Sequence, residues 1–174
     1  MGATVTLNET NGASPTETAG ISNLNFGSID APNLNPATYP IKAQANGASF
    51  EKWLRLSVTS MGGSVQLDNI QVWMNVGVLV TGEQIMSNLK TSAYVAATYP
   101  TGTGPSEATS LVATTAIPTS QPAGANMGIG GSLSGTITAS PAYSDWIVLQ
   151  EQVTGSTPVG AVNQKTFTFQ WDEV

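Results

Sequence analysis

The sequence predicts an all-β fold: a single-domain antiparallel β-sandwich, similar to a jelly roll, with long loops. Short runs in which apolar and polar residues alternate recur along the 174 residues, and Gly or Pro separates most of these runs. Short strands joined by turns about every eight to twelve residues are typical of sandwiches and jelly rolls. A chain of this length can also bury one hydrophobic core of its own.

The N-terminal region is predicted to hold one short strand followed by a polar segment. Residues 5–7 are the strand candidate, and residues 8–20 (NETNGASPTETAG) are polar enough to form a flexible arm or a long loop. We therefore divide the chain into two parts. Residues 1–20 form the N-terminal strand with its arm or loop, and residues 21–174 form the sandwich domain.

The clearest strand patterns lie near the middle of the chain. Residues 53–59 alternate strictly, which places Leu54, Leu56 and Val58 on one face of a strand. A turn follows, and Asp68-Asn69 predicts a bend or bulge in the next strand, over residues 65–80. The apolar residues predicted to share a face of that strand are Ile70, Val72, Met74, Val76 and Val78.

One segment has helical rather than alternating spacing. In residues 82–90, the apolar residues Ile85, Met86 and Leu89 recur at intervals that would place them on one side of a helix. The spacing predicts a short helix of about two turns.

The last third of the chain predicts strands at residues 145–153 and 166–171, with a turn at residues 155–158 between them. In the final strand, Phe167, Phe169 and Trp171 point to one side. Weaker strand candidates are residues 21–29, 38–43, 92–99, 107–117 and 132–139. Residues 100–106 and 118–131 are rich in Gly and Pro and predict surface loops.

The composition removes most of the groups that enzymes use. The chain has no His and no Cys, so a zinc site, a thiol or serine–histidine nucleophile and a disulfide framework are excluded. Its eleven acidic residues are spread along the chain with no local catalytic spacing and no calcium-binding loop. We expect a structural or binding protein, not an enzyme, with no metal and no cofactor.

Charge and hydropathy also restrict the partners. Eleven acidic against five basic residues give a formal net charge of −6, which argues against nucleic-acid binding because that normally needs a basic surface. No apolar run approaches the ~20 residues that span a bilayer, so no membrane contact is expected. The first residues lack the pattern of a secretion signal, which predicts synthesis and retention in a cytoplasm.

Aromatic residues supply the candidate binding site. Alternation places Trp53 and Arg55 opposite the apolar face of their strand, and it places Trp73 opposite the apolar face of the next one. If these two strands pair, all three residues share one surface, and Trp and Arg are frequent at interface hot spots. The alternative is that another part of the same chain covers this surface.

Four segments resemble a class of tailed-phage virion proteins that consist of one β-sandwich domain. In that class an Asn-Phe-Gly-Ser strand precedes a strand with the pattern Ser-x-Glu-Lys-aromatic-Leu-Arg-Leu. The matching segments are residues 21–31 (ISNLNFGSIDA) with Pro40-Ile41, 49–56 (SFEKWLRL), 143–150 (YSDWIVLQ) and 166–173 (TFTFQWDE).

This resemblance implies a virion component made in the host cytoplasm, namely a capsid decoration or cement protein. Such a protein would bind the major capsid protein on the capsid exterior, as a homo-oligomer, and would stabilise the shell. Two alternatives stay open: a tail or baseplate accessory protein, and a carbohydrate-binding module with Trp53, Trp73 and Trp146 as its stacking platform.

Overall fold

A computed structural model describes residues 1–41, 46–97, 113–158, 160 and 163–174. In these ranges the chain forms strands and no helix, and all strand pairs are antiparallel, so the predicted all-β antiparallel class is confirmed. Accordingly, no helix in the described ranges could cross a membrane. The strands are β1 (Thr4–Asn11), β2 (Thr16–Thr18), β3 (Asn46–Ala48), β4 (Lys52–Ser60), β5 (Leu67–Val76), β6 (Glu83–Thr91), β7 (Thr115–Ala116), β8 (Ala142–Tyr143), β9 (Trp146–Thr154) and β10 (Thr166–Glu173).

The strands form two unequal sheets. The large sheet has eight strands, in the order β2-β1-β4-β9-β6-β7, with β3 added to β9 and β8 added to β4. The small sheet consists of β5 and β10. Both sheets contribute their apolar faces to one core, which contains Leu54, Leu56, Ile85, Ile147 and Leu149 from the large sheet and Ile70, Val72 and Met74 from the small one.

β4 follows the predicted alternation. Leu54, Leu56 and Val58 are buried toward the core side, while Trp53 and Arg55 lie on the opposite, outer face of the large sheet. The two C-terminal strands are also confirmed as β9 and β10, and Phe167, Phe169 and Trp171 all pack against the core.

The N-terminal segment differs from the prediction of a polar arm or loop within residues 1–20. β1 extends to Asn11 and pairs with β4, and β2 folds back on β1 as a hairpin. The polar residues of β1 are tolerated inside a sheet because Asn8, Glu9 and Asn11 all form side-chain hydrogen bonds.

The predicted helix over residues 82–90 is wrong, because this segment is strand β6. Ile85 packs into the core between the sheets, whereas Met86 packs on the outer face beside Trp53 and Val148. A strand covered on both faces carries apolar residues at adjacent positions, and that spacing mimics a helix.

β5 is shorter than predicted and contains the expected bulge. Asn69 has a positive φ of 47°, and the register with β10 shifts there, so that β5 holds one extra residue. The strand ends at Val76, and both Val76 and Val78 are exposed instead of continuing the core face.

Most of the weaker strand predictions are not confirmed. Residues 21–29 and 132–139 form no named strand, and the described part of the candidate at 107–117, residues 113–117, contains the two-residue strand β7. Parts of the candidates at 38–43, 92–99 and 107–117, and the whole loop at 100–106, lie outside the described residues. Residues 118–131 form an irregular loop, as predicted, but Met127 within it is buried in the core.

Candidate functional site

The first candidate site lies on the outer face of the large sheet. It consists of Arg55 from β4, Glu17 from β2, Tyr143 from β8 and Trp146 from the start of β9, and we call these four residues the Arg55 patch. The strand pairing explains why they meet, because β8 pairs with β4 and β9 also pairs with β4. Three regions that are distant in sequence, namely β2, β4 and the stretch from β8 into β9, therefore converge on one guanidinium group.

The Arg55 guanidinium is held by aromatic rings and by a carboxylate. Its central carbon lies 3.6 Å from the ring centroid of Tyr143 and 4.6 Å from that of Trp146. Its Nε donates to Glu17 Oε2 at 2.6 Å, and the other oxygen of Glu17 accepts from Asn8 Nδ2 at 2.9 Å. Cation–π contacts and a charge-assisted hydrogen bond thus fix the orientation of a partly exposed cation.

An aromatic cluster around the buried Trp53 supports the patch from below. The Trp53 ring contacts Tyr94 and Trp146 edge to face, with centroid separations of 5.2 and 6.1 Å. The Tyr94 hydroxyl donates to the carbonyl oxygen of Gly12 at 2.9 Å. Burial, with a contribution from the charge of Asp30, raises the pKa of Tyr94 to about 12, so this phenol stays a donor at neutral pH.

The structure brings together only part of the predicted surface. Trp53 and Arg55 share the outer face, but Trp53 is only 1% exposed and supports the patch from beneath. Trp73 does not join them: β5 pairs with β10 and not with β4, so Trp73 lies in the small sheet at 8% exposure. The condition that these two strands pair is not met, because alternation fixes a residue's face but not its neighbouring strand.

Sequence reasoning missed Glu17 and Tyr143 as members of the site. Tyr143 is 42% exposed, and its strand is only two residues long, which leaves almost no periodic signal. Glu17 lies in the segment that was expected to be an arm, so its proximity to Arg55 follows only from the β1–β2 hairpin.

A second candidate site lies between the two sheets. A groove of about 1010 Å³ is lined in part by β10 and by residues 21–26, and we call it the β10 groove. Its apolar lining comes from both sheets and from the segment after β2. The main apolar residues are Leu7, Ile21, Leu24, Phe26, Phe167 and Phe169.

Two carboxyl groups and one ammonium group lie at one end of the β10 groove. Glu83 of β6 and Glu151 of β9 hydrogen-bond to each other, and Lys165 pairs with Glu83. Burial raises the pKa of Glu151 to about 8, with further contributions from the hydrogen bond and the charge of Glu83. The pair therefore holds a proton at neutral pH.

This carboxyl pair does not match the arrangement of a glycosidase. Such enzymes place their two carboxyl groups about 5 Å or more apart, so that the sugar lies between them. A direct hydrogen bond between Glu83 and Glu151 leaves no such space. As for metals, the described ranges contain no group of three or more acidic side chains that could hold an ion.

Comparisons with known proteins identify no relative of this chain. No family model, no curated protein and no solved structure matches this chain.

Proposed function

We propose that this chain is a non-enzymatic virion structural protein, a decoration or cement protein that binds the major capsid protein and stabilises the shell. The resemblance of four segments to β-sandwich virion proteins suggests the class. The Arg55 patch is the observation that carries the binding role. Homo-oligomers on the capsid exterior are part of the same proposal.

The chemistry of the Arg55 patch suits a protein interface. Arg, Tyr and Trp are the residue types most enriched at interface hot spots. Here the guanidinium is already oriented by Tyr143, Trp146 and Glu17, so little side-chain entropy is lost when a partner binds. A preorganised patch of this kind favours a rigid partner surface such as a capsid shell.

The protein would stabilise the shell by adding contacts between capsid subunits, without any chemical reaction. Specific interfaces bury about 1,200–2,000 Å² in total, so a protein of this size can bridge neighbouring capsid subunits and add buried area at their junction. Many identical copies on one shell add their small contributions through avidity. No titrating or redox-active group is needed for this role.

The geometry gives the carbohydrate alternative less support. A stacking platform for sugars needs several exposed rings on one surface. Trp53 and Trp73 are buried and belong to different sheets, and Arg55 lies over the ring of Trp146. No observation favours the tail or baseplate alternative over the capsid role.

The test is binding to shells of the major capsid protein encoded in the same genome. We expect the protein to cosediment with these shells and to raise the temperature at which they break. Tyr143→Ala should weaken cosedimentation about tenfold or more, because a central aromatic contact is worth roughly 2 kcal/mol.

Tyr39→Ala is the matched control, since Tyr39 is 40% exposed and Tyr143 is 42% exposed. The control should bind shells like the wild type. Failure of the wild-type protein to bind any shell would refute the capsid role.

A further inference from the structure

The buried ion pair between Lys52 and Glu9 lies beside an asparagine. Lys52 Nζ and Asn11 Nδ2 both donate to the same atom, Glu9 Oε1, at 2.8 and 3.0 Å. The β1–β4 register ends with Thr10 opposite Trp53. Continued by one residue, it places Asn11 opposite Lys52 on the core side of the large sheet. An amine and a carboxamide from adjacent strands therefore meet at one carboxylate.

This site is buried, and neighbouring groups hold its side chains in place. The side chains of Lys52 and Glu9 are 0% exposed, and Asn11 is 7% exposed. The carbonyl of Ala31 accepts from Lys52 Nζ at 2.6 Å. Asp30 Oδ1 accepts from Asn11 Nδ2 at 2.5 Å. Groups that are held in contact and away from water react far faster than the same groups free in solution.

Two oxygen atoms of this site lack a partner. Glu9 Oε2 and Asn11 Oδ1 are both buried, and neither has a hydrogen-bond partner among the described residues. Buried polar side-chain atoms are nearly always paired, so a purely structural ion pair leaves these two oxygens unexplained. A metal ion does not explain them, since it would meet the ammonium group of Lys52, and the described part of the chain holds no metal-binding group of acidic side chains.

The side chains at this site have the roles that amide exchange requires. A lysine amine becomes a nucleophile once it loses its proton, and a carboxylate in contact with it can take that proton. Because Glu9 Oε1 contacts both nitrogens, it can take a proton from Lys52 Nζ and deliver one to Asn11 Nδ2 as that group leaves. Asp30 accepts from the same Nδ2 and thereby orients the carboxamide.

We propose that Lys52 and Asn11 form an intramolecular isopeptide bond, with Glu9 as the catalytic residue. Lys52 Nζ attacks Asn11 Cγ, so that the Nζ–Cγ bond forms, the Cγ–Nδ2 bond breaks and Nδ2 leaves as ammonia. Of the three protons on the ammonium group, one stays on the new amide nitrogen, one leaves with the ammonia and one remains on Glu9. The exchange needs no oxidant, reductant or cofactor, and the ion pair is the state before it.

The products of this reaction fit the site better than the ion pair does. Two buried charges are replaced by a neutral amide and a neutral carboxylic acid, and buried charges are costly. A protonated Glu9 is also a hydrogen-bond donor, which the buried Asn11 Oδ1 lacks. The bonded residues are 41 positions apart (52 − 11), so the bond closes a long loop in the unfolded chain and opposes unfolding. This inference does not rest on the virion role.

The experiment measures the mass of the full chain after the folded protein has been incubated at neutral pH. We expect the mass to fall below that of the unreacted chain by one ammonia molecule. Trypsin should then fail to cleave after Lys52, and it should release residues 1–43 joined to residues 44–55 as one branched peptide. Protein kept unfolded in urea should retain its full mass, because only the fold brings the two groups together.

Variants separate the roles of the three side chains. Lys52→Arg keeps a positive charge beside Glu9 without an amine nucleophile, and Asn11→Ala removes the carboxamide, so neither variant should lose ammonia. Glu9→Gln keeps the shape of the side chain but cannot shuttle a proton, and it should slow the reaction about a hundredfold or more. Lys90→Arg is the matched control, since Lys90 is exposed on β6, and it should react like the wild type.

Three outcomes would overturn the proposal. The first is a full mass for the folded wild type after prolonged incubation, with normal cleavage after Lys52, and this result does not depend on whether any variant folds. The second is a loss of ammonia that persists in Lys52→Arg, which would assign it to a succinimide formed between Asn11 and Gly12. The third is a folded Glu9→Gln variant that reacts as fast as the wild type.

Discussion

Two ion pairs join β4 to the β1–β2 hairpin, and they differ in how far their side chains are buried. Lys52 Nζ lies 2.8 Å from Glu9 Oε1, and both side chains are fully buried. Arg55 and Glu17 form the other pair, and their side chains are 24% and 26% exposed. Lys52 lies on the core side of the sheet and Arg55 on the outer side.

The difference in burial assigns the two pairs different roles. A buried pair stabilises a protein only while both partners are present, because either charge alone would be left without compensation. Lys52 also donates to the carbonyl of Ala31 at 2.6 Å, which ties the segment after β2 to the sheet. A partly exposed pair contributes little to folding, so the Arg55–Glu17 pair is free to serve a surface function.

The largest expected effect comes from breaking the buried pair. Lys52→Ala should lower the free energy of unfolding by about 3–5 kcal/mol, because it leaves Glu9 buried and unpaired. Denaturant unfolding measures this. The double variant Lys52→Met with Glu9→Leu should recover most of the loss, and a single-variant loss below about 1 kcal/mol would contradict a structural role for this pair.

The carboxyl pair of the β10 groove should produce a pH dependence of stability. The pKa of Glu151 is raised from 4.5 to about 8, so the folded protein binds a proton that the unfolded chain releases between these values. The resulting stabilisation is complete below pH 4.5, falls as pH rises toward 8, and is lost above it. Glu151→Gln removes this titrating group.

The measurement is the free energy of unfolding of wild type minus that of Glu151→Gln, at several pH values. This difference should fall with rising pH, by up to about 1 kcal/mol per pH unit between pH 5 and pH 8. A difference that is constant, or that rises with pH, would show that the Glu83–Glu151 pair does not hold a proton.

Breaking the exposed pair should change stability least. Arg55→Ala is expected to lower the free energy of unfolding by about 1 kcal/mol or less, since the pair is partly solvated and the lost cation–π contacts are partly exposed. Urea unfolding of Arg55→Ala and of Lys52→Ala, measured side by side, compares the two losses of unfolding free energy directly. Equal losses for the two variants would remove the distinction between the pairs.

The sequence predicted those features that depend on local pattern. The alternation of β4 places Leu54 and Trp53 on opposite faces, and it needs no knowledge of the neighbouring strands. The bulge at Asn69 was likewise visible, because Asn tolerates the positive φ that the bend requires. β6 was misread because Ile85 and Met86 serve two different apolar clusters, one on each side of the sheet.

The candidate sites could be predicted only in part, since they depend on pairing between distant strands. Trp53 and Arg55 were placed on the right face, but Tyr143 joins them through β8 and Trp73 is removed by the pairing of β5 with β10. Glu83 and Glu151 meet because β6 and β9 are neighbours, although 68 positions (151 − 83) separate them. Which side chains meet depends on the order of the strands in the sheets. The periodicity of a single strand does not give that order.

The most direct test of the account is the affinity of Arg55→Ala for capsid shells, measured beside Lys90→Ala. Both variants remove one positive charge, and Lys90 is exposed on β6, outside the Arg55 patch. We predict that Arg55→Ala stays folded and binds shells about tenfold or more weakly, while Lys90→Ala binds like the wild type. Equal binding by both variants would contradict the assignment of the Arg55 patch as the capsid-binding surface.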